Sequence, residues 1–216
     1  MDSLIHSLRD VTIRSISVSE MNNNVYVVTS KSTGTQVLID AADDLPAIQQ
    51  LLNDAAADTP ATPKLARIAT THQHWDHVRA LGELVAATGA TTSAGADDAD
   101  ALPVPVDVRL GHGDVERFDG FELLAVHLGG HTPGSIAFVY QDPDGPAHIF
   151  SGDSLFPGGV GNTQNDPARF TSLLNDVSER LFDAYPDETL VHPGHGLPTT
   201  LGDERPHLEE WRARGW

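Results

Sequence analysis

Cysteine is absent from the 216 residues, which excludes disulfides, thiolate metal sites and cysteine nucleophiles. Any metal must therefore be held by imidazole and carboxylate, the harder end of the ligand range. Basic residues are scarce, 13 against 31 acidic, giving a formal charge of −18. A field of that sign repels phosphate backbones and anionic lipid surfaces, so neither nucleic acid nor membrane is expected as a partner. Apolar residues make up 39% of the chain, and no run approaches the roughly 18 to 20 residues of a membrane helix. The opening stretch, MDSLIHSLRDVTIRS, lacks a basic region followed by an apolar run and a small-residue cleavage site. A cytoplasmic protein is the expectation. Internal repeats and long linkers are also lacking, so a single domain over residues 1–216 is expected.

Apolar alternation and β-branched residues predict strands near 11–18, 24–30 and 35–40. Asp43 and Asp44 then precede a helical stretch to about 56, with Pro46 in its first turn. A buried strand over 65–71 runs into a histidine-rich loop, and a helix over 77–88 closes at Gly89. Further strands are predicted at 106–110, 121–128, 136–141, 147–151 and 189–192, with helices over 166–184 and 204–213. The Ala/Asp/Pro-rich segments 55–63 and 94–101 read as loops or short surface helices. This order suits an α/β (α+β) fold of two mixed sheets flanked by helices, an αββα sandwich.

The chemistry concentrates in Thr71-His72-Gln73-His74-Trp75-Asp76-His77, on a strand-to-helix loop. His72 and His74, two apart, can point the same way from extended backbone, while Asp76 and His77 fall where the chain turns. Clustered imidazoles repel one another when protonated, and a bare polar loop gains nothing from them. A metal or catalytic site does. Three more candidates stand at strand ends beside glycine: His131 in GGHTPG, Asp153 in SGDS and His195 in HPGHG. Glycine there lets backbone and side chain approach a crowded centre. His192 competes with His195 for the last position. His127 reads as packed within a strand, His112 as a turn residue, and His6, His148 and His207 as surface or partly buried.

THQHWDH, GGHTPGS, GDS and HPGHG, in that order, resemble the successive signature motifs of the metallo-β-lactamase superfamily. Asp40 resembles the early aspartate of those proteins, which supports the metal loop without binding metal. The resemblance implies two divalent ions, zinc first with iron or manganese as alternatives. His72, His74 and His131 would hold one, Asp76, His77 and His195 the other, and Asp153 would bridge them. The pattern PGHG favours His195 over His192. It also implies hydrolysis by hydroxide attack on a carbonyl, with Asp76 orienting the nucleophile as a catalytic residue.

Within that superfamily, GDSLFPGGVG and PGHG followed by TTLGDER are similar to segments of glyoxalase II-like thioesterases (hydroxyacylglutathione hydrolases). A thiolate leaves readily, so a small-molecule acyl thioester suits a site with no further acid–base motif. Full-length members carry a C-terminal helical domain that holds glutathione through basic residues. Only 21 residues follow His195, so no such separate domain is expected. Members of the family also often place Arg or Lys after the glycine run, where this chain has Asn162. Trp75, Phe156 and Asn162 are candidate substrate contacts. Two alternatives share the fold. A persulfide dioxygenase would use a single iron on His72, His131 and Asp153, but such enzymes show GRTDFQ-like and PAHDY-like segments where this chain has GNTQN and PGHG. An acyl-homoserine lactone lactonase is the other.

Overall fold

The computed structural model describes residues 3–215. Its first sheet starts as an antiparallel meander of β1 (Leu4–Ser7), β2 (Val11–Val18), β3 (Asn23–Ser30) and β4 (Thr35–Ile39). Beyond β4 the pairing turns parallel. The chain crosses over through α1 (Leu45–Ala56) to β5 (Lys64–Thr70), then through α2 (Leu81–Thr88) to β6 (Thr91–Gly95), and on to β7 (Val108–Leu110). Parallel neighbours need such crossovers, and the helices cover the sheet's outer face.

The second sheet begins with a meander of β8 (Val115–Phe118), β9 (Phe121–His127), β10 (Ile136–Gln141) and β11 (Ala147–Gly152). A small ribbon of β12 (Leu155–Phe156) and β13 (Gly159–Val160) follows, then α3 (Pro167–Val177). The chain returns as β14 (Leu190–Pro193), parallel to β11, and β15 (Thr199–Thr200) closes the edge. Two short helices, α4 (Leu201–Glu204) and α5 (Leu208–Arg214), end the described residues.

Three apolar layers hold the sandwich. β3 buries both faces: Val25 and Val27 pack with Ile48, Leu51, Leu81 and Leu84 of the helices, while Tyr26 and Val28 face Phe138 and Phe150 of the other sheet. Phe170, Leu173 and Leu174 of α3 and Trp211 of α5 cover the far side of the second sheet. Helix–sheet–sheet–helix layering of this kind is the αββα architecture expected from the order of elements. Among the described residues, no helix is long and apolar enough to cross a membrane.

Several elements differ from the sequence expectation. The helix expected from 77 begins at Leu81, because the amides of Arg79 and Ala80 bond to Ala42 and Ala41 carbonyls rather than within a helix. A single 3₁₀ turn, Trp75–His77, precedes it. The helix expected to reach 184 stays regular only to Val177 and continues as a wider turn over Ser178–Phe182. Pro206, which has no N–H, sits in a short 3₁₀ turn between α4 and α5 where one helix was expected. β6, made of TTSAG, carries no apolar alternation, and β1 and β8 are short; none was anticipated.

Candidate metal centre

The carboxyl ends of β5, β9, β11 and β14 all open on one edge of the sandwich, where open α/β sheets place their ligand sites. Each delivers one segment: the 72–77 loop, His131, Asp153 and His195. β3 runs antiparallel, so it brings its first residue, Asn23, to the same edge, where Asn23 forms an isolated bridge with His195.

The side chains converge as two triads. Ligand atoms of His72, His74 and His131 lie within 4.8 Å of one another, as do those of Asp76, His77 and His195. Asp153 stands between them: its Oδ2 is 3.5 Å from His131 Nε2 and 3.4 Å from His195 Nε2, and its Oδ1 is 3.4 Å from His77 Nε2. His77 and His195 bring their Nε2 atoms within 3.1 Å.

Contacts behind the imidazoles fix which nitrogen faces inward. His77 Nδ1 donates to Asp40 Oδ2 at 2.9 Å, His131 Nδ1 to the Asn162 carbonyl at 2.8 Å and His195 Nδ1 to the Met21 carbonyl at 2.9 Å. In each ring Nε2 is thereby the nitrogen that faces the cluster, the arrangement that orients metal-binding histidines. Asp40, in left-handed backbone at φ 60, also accepts from Thr71 N and Thr71 Oγ1, both at 2.7 Å. It braces the loop from behind His77, its carboxylate lying within 4.8 Å of ligand atoms of His72 and His77.

Three buried atoms, His72 Nε2, His131 Nε2 and Asp153 Oδ1, have no hydrogen-bond partner within the protein. Unpartnered polar atoms at this depth are expensive unless something else satisfies them. They converge with further imidazole and carboxylate donors, and that donor set fits a divalent-metal centre. Gly194 makes room: a Cβ there would lie 2.3 Å from Asp153 Oδ1 and 2.8 Å from His77 Cε1.

The protonation pattern agrees with that fit. Burial, and then the charge of neighbouring imidazoles, pushes His72 well below its ordinary value, and burial also lowers His74 and His131. Their lone pairs are free at neutral pH. Burial opposes ionisation of Asp153, but its hydrogen bond with His195 and the imidazoles around it hold the carboxyl well below the usual range. The same bond to Asp153 raises His195 to about 9, so a cation must displace a proton there.

Two positioning residues escaped the sequence reading. Asp98, fully buried, accepts from Gln73 N at 2.9 Å, from Thr132 Oγ1 at 2.5 Å and from Gly134 N at 2.7 Å, joining the 72–77 loop to the His131 loop. Nothing in GADDADA separates it from the acids beside it. Asn23, also fully buried, donates to Asp76 Oδ2 at 2.9 Å while accepting from Ser19 Oγ at 2.6 Å. The neighbouring Asn24 and Tyr26 bond to the Pro193 carbonyl, fastening the loop that carries His195.

Other named residues fall at varied distances from the cluster. Trp75 is 61% exposed with the Arg79 guanidinium 3.7 Å over its ring, and the Phe156 ring lies 6.4 Å from that of His195. Asn162 is exposed beside a cleft of about 250 Å³ lined by Val160 to Thr163 and Asn165. His192 turns away into the protein, where it meets His148 and His6. His148, expected at the surface or partly buried, is 1% exposed, because β11 and β14 enclose it. His127, expected to be packed, is half-buried and donates Nε2 to the Pro133 carbonyl. His112 lies in an exposed turn, as expected.

A family model described as the Metallo-beta-lactamase superfamily matches residues 18–195. A hydroxyacylglutathione hydrolase of Fuscovulum blasticum is 33% identical over 175 residues, covering 81% of this chain and 62% of that protein. The chain therefore spans a little under two thirds of the length of such curated relatives. Among solved structures, ETHE1 from Myxococcus xanthus is similar at a TM-score of 0.76 and 29% identity, with 91% of this chain and 82% of that one covered. TTHA1623 in a di-iron-bound form is similar at a TM-score of 0.66 and 34% identity, with 88% and 96% covered. The matched segment takes in most of both sheets and every residue of the two triads. On that ground, the chain belongs to the metallo-β-lactamase superfamily.

Proposed function

We propose that the chain is a hydrolase of small acyl thioesters that works with two divalent ions, Zn²⁺ in the first instance. His72, His74 and His131 would hold one ion, Asp76, His77 and His195 the other, and Asp153 would be shared. The observation that carries this is the position of Asp153 between two triads, with unpartnered buried atoms on His72, His131 and Asp153 itself. The di-iron form of TTHA1623 and the hydroxyacylglutathione hydrolases among the relatives support it.

Two bound ions would make hydroxide available near neutral pH, by lowering the pKa of water from 15.7 towards about 7, and would stabilise negative charge on a carbonyl oxygen. The protein's own groups prepare that chemistry. Asp40, the Asn162 carbonyl and the Met21 carbonyl engage Nδ1 of His77, His131 and His195, so Nε2 of each ring is the nitrogen presented to an ion. Asn23 occupies Asp76 Oδ2 and so fixes the orientation of that carboxylate, which would help position the attacking hydroxide. A thiolate departs without being protonated, so cleavage needs no separate acid. The cleft beside Asn162 would receive the acyl compound, with Phe156 and Trp75 at the margin of the site.

A hydrolysis screen of metal-quantified protein against S-lactoylglutathione, other acyl thioesters and homoserine lactones tests this. Thioester turnover that disappears on chelation and returns with Zn²⁺ is expected. Failure on every thioester, or lactones cleaved faster, would overturn it. Iron with oxygen uptake on glutathione persulfide would instead select the dioxygenase chemistry.

A further inference from the structure

A second group of imidazoles lies outside the 72–77 cluster. His6 comes from β1 at the edge of the first sheet; His148 and His192 come from the adjacent parallel strands β11 and β14 of the second. Ligand nitrogens of the three lie within 4.8 Å of one another. His148 Nδ1 and His192 Nε2 are 3.0 Å apart, much like the 3.1 Å between His77 and His195 Nε2. We propose that His6, His148 and His192 form a further metal site, for a borderline divalent ion such as Zn²⁺.

Three observations carry it. Three histidines are a ligand set that zinc accepts, with a fourth position left for water. The set contains no carboxylate, which favours zinc, copper or nickel over magnesium, calcium or manganese. Secondly, these rings are neutral. Burial lowers His148 to about 4 and pushes His192 well below its ordinary value, and burial lowers His6 too. Neutral imidazole binds through a lone pair without losing a proton; the ring that donates in the His148–His192 contact has only to take its other tautomer. Thirdly, there is a way in. His148 and His192 are 1% and 2% exposed, but His6 is half-buried and lines, with His192, Tyr26 and Asn24, a cleft of about 120 Å³. The chain's net charge of −18 draws cations towards it.

The plain competitor is a structural hydrogen bond between His148 and His192, with His6 packed on it. That arrangement needs no metal and leaves His6 replaceable. The test saturates the full chain with Zn²⁺, removes excess by gel filtration and counts zinc per chain by elemental analysis. His6→Ala is compared with the unaltered protein, because His6 is the least buried of the three. One fewer zinc in the variant is expected, whatever the content of the 72–77 centre. Equal zinc in both proteins overturns the proposal. Should the variant fail to fold, ¹⁵N imidazole spectra of the unaltered protein decide. Added Zn²⁺ should shift the ring nitrogens of His148 and His192, and unshifted resonances at saturation overturn the site.

Discussion

Asp98 accepts the Thr132 hydroxyl at 2.5 Å on the same oxygen that accepts Gln73 N, so one buried carboxylate spans the 72–77 and His131 loops. Its other oxygen takes Gly134 N. Three donors leave no place for an amide –NH₂. Asp98→Asn should lower stability by about 3 kcal/mol, in the range of hydrogen bonds to charged groups. Zinc affinity should fall by roughly 10- to 100-fold, as for other groups that orient ligands. A thermal melt and a competitive zinc titration check both, and unaltered affinity in the variant counts against coupling of the loops.

Asn23 makes a separate, narrower prediction. Its amide holds Asp76 Oδ2 from a fully buried position. Asn23→Asp keeps the shape but sets two carboxylates against each other. Activity of the metal-loaded variant should drop by about 10- to 100-fold, mainly in kcat. Steady-state kinetics with metal content measured in parallel separate lost orientation from lost metal; a change confined to KM would contradict the orienting role.

Removing a candidate ligand should act more bluntly. His74→Ala and Asp153→Asn should each lose metal and turnover together, and chelation of the unaltered protein should do the same. Asp153 faces both triads, so its replacement should affect both ions, while His74 belongs to one. Elemental analysis alongside the thioester assay reads this directly. Normal turnover in either variant contradicts the assignment.

Far from the centre, Arg14 clasps Asp58 through two 2.7 Å bonds, with Thr12 adding a third at 2.8 Å. Burial works against the Asp58 carboxylate, but these bonds prevail and hold its pKa below the ordinary 3.8. A depressed carboxyl stabilises the fold above its unfolded pKa, and that contribution is lost as pH falls through the folded value. Arg14→Ala should therefore lower stability by about 2 kcal/mol at pH 7 and by progressively less below about pH 4. Thermal melts of both proteins across that range give the answer; a difference that ignores pH would place the effect in packing instead.

How far the sequence could be read depends on where the information sits. Residues 72–77, 131, 153 and 195 stand out because donors recur at strand ends among glycines, a local pattern. Strands such as 11–18 and 136–141 announce themselves through their β-branched and apolar residues, which the structure largely buries. By contrast, Asp98 looks like any acid in an acidic loop, and Asn23 like any member of an Asn triplet. Their roles arise only when β6 and β3 arrive at the edge where the site lies. β6 itself was hidden because threonine, serine and small residues suffice for a strand enclosed by parallel neighbours. The start of α2 was hidden because Ala41 and Ala42, far back in the chain, claim the amides of Arg79 and Ala80.

His72, His74, Asp76 and His77 hang from the first sheet, whereas His131, Asp153 and His195 hang from the second. Neither half owns a complete coordination sphere. On the proposed ligand assignment, firm metal capture would require both halves to have docked, so uptake would follow folding of the sandwich. Ions bound there would act as rivets across the seam, slowing its opening.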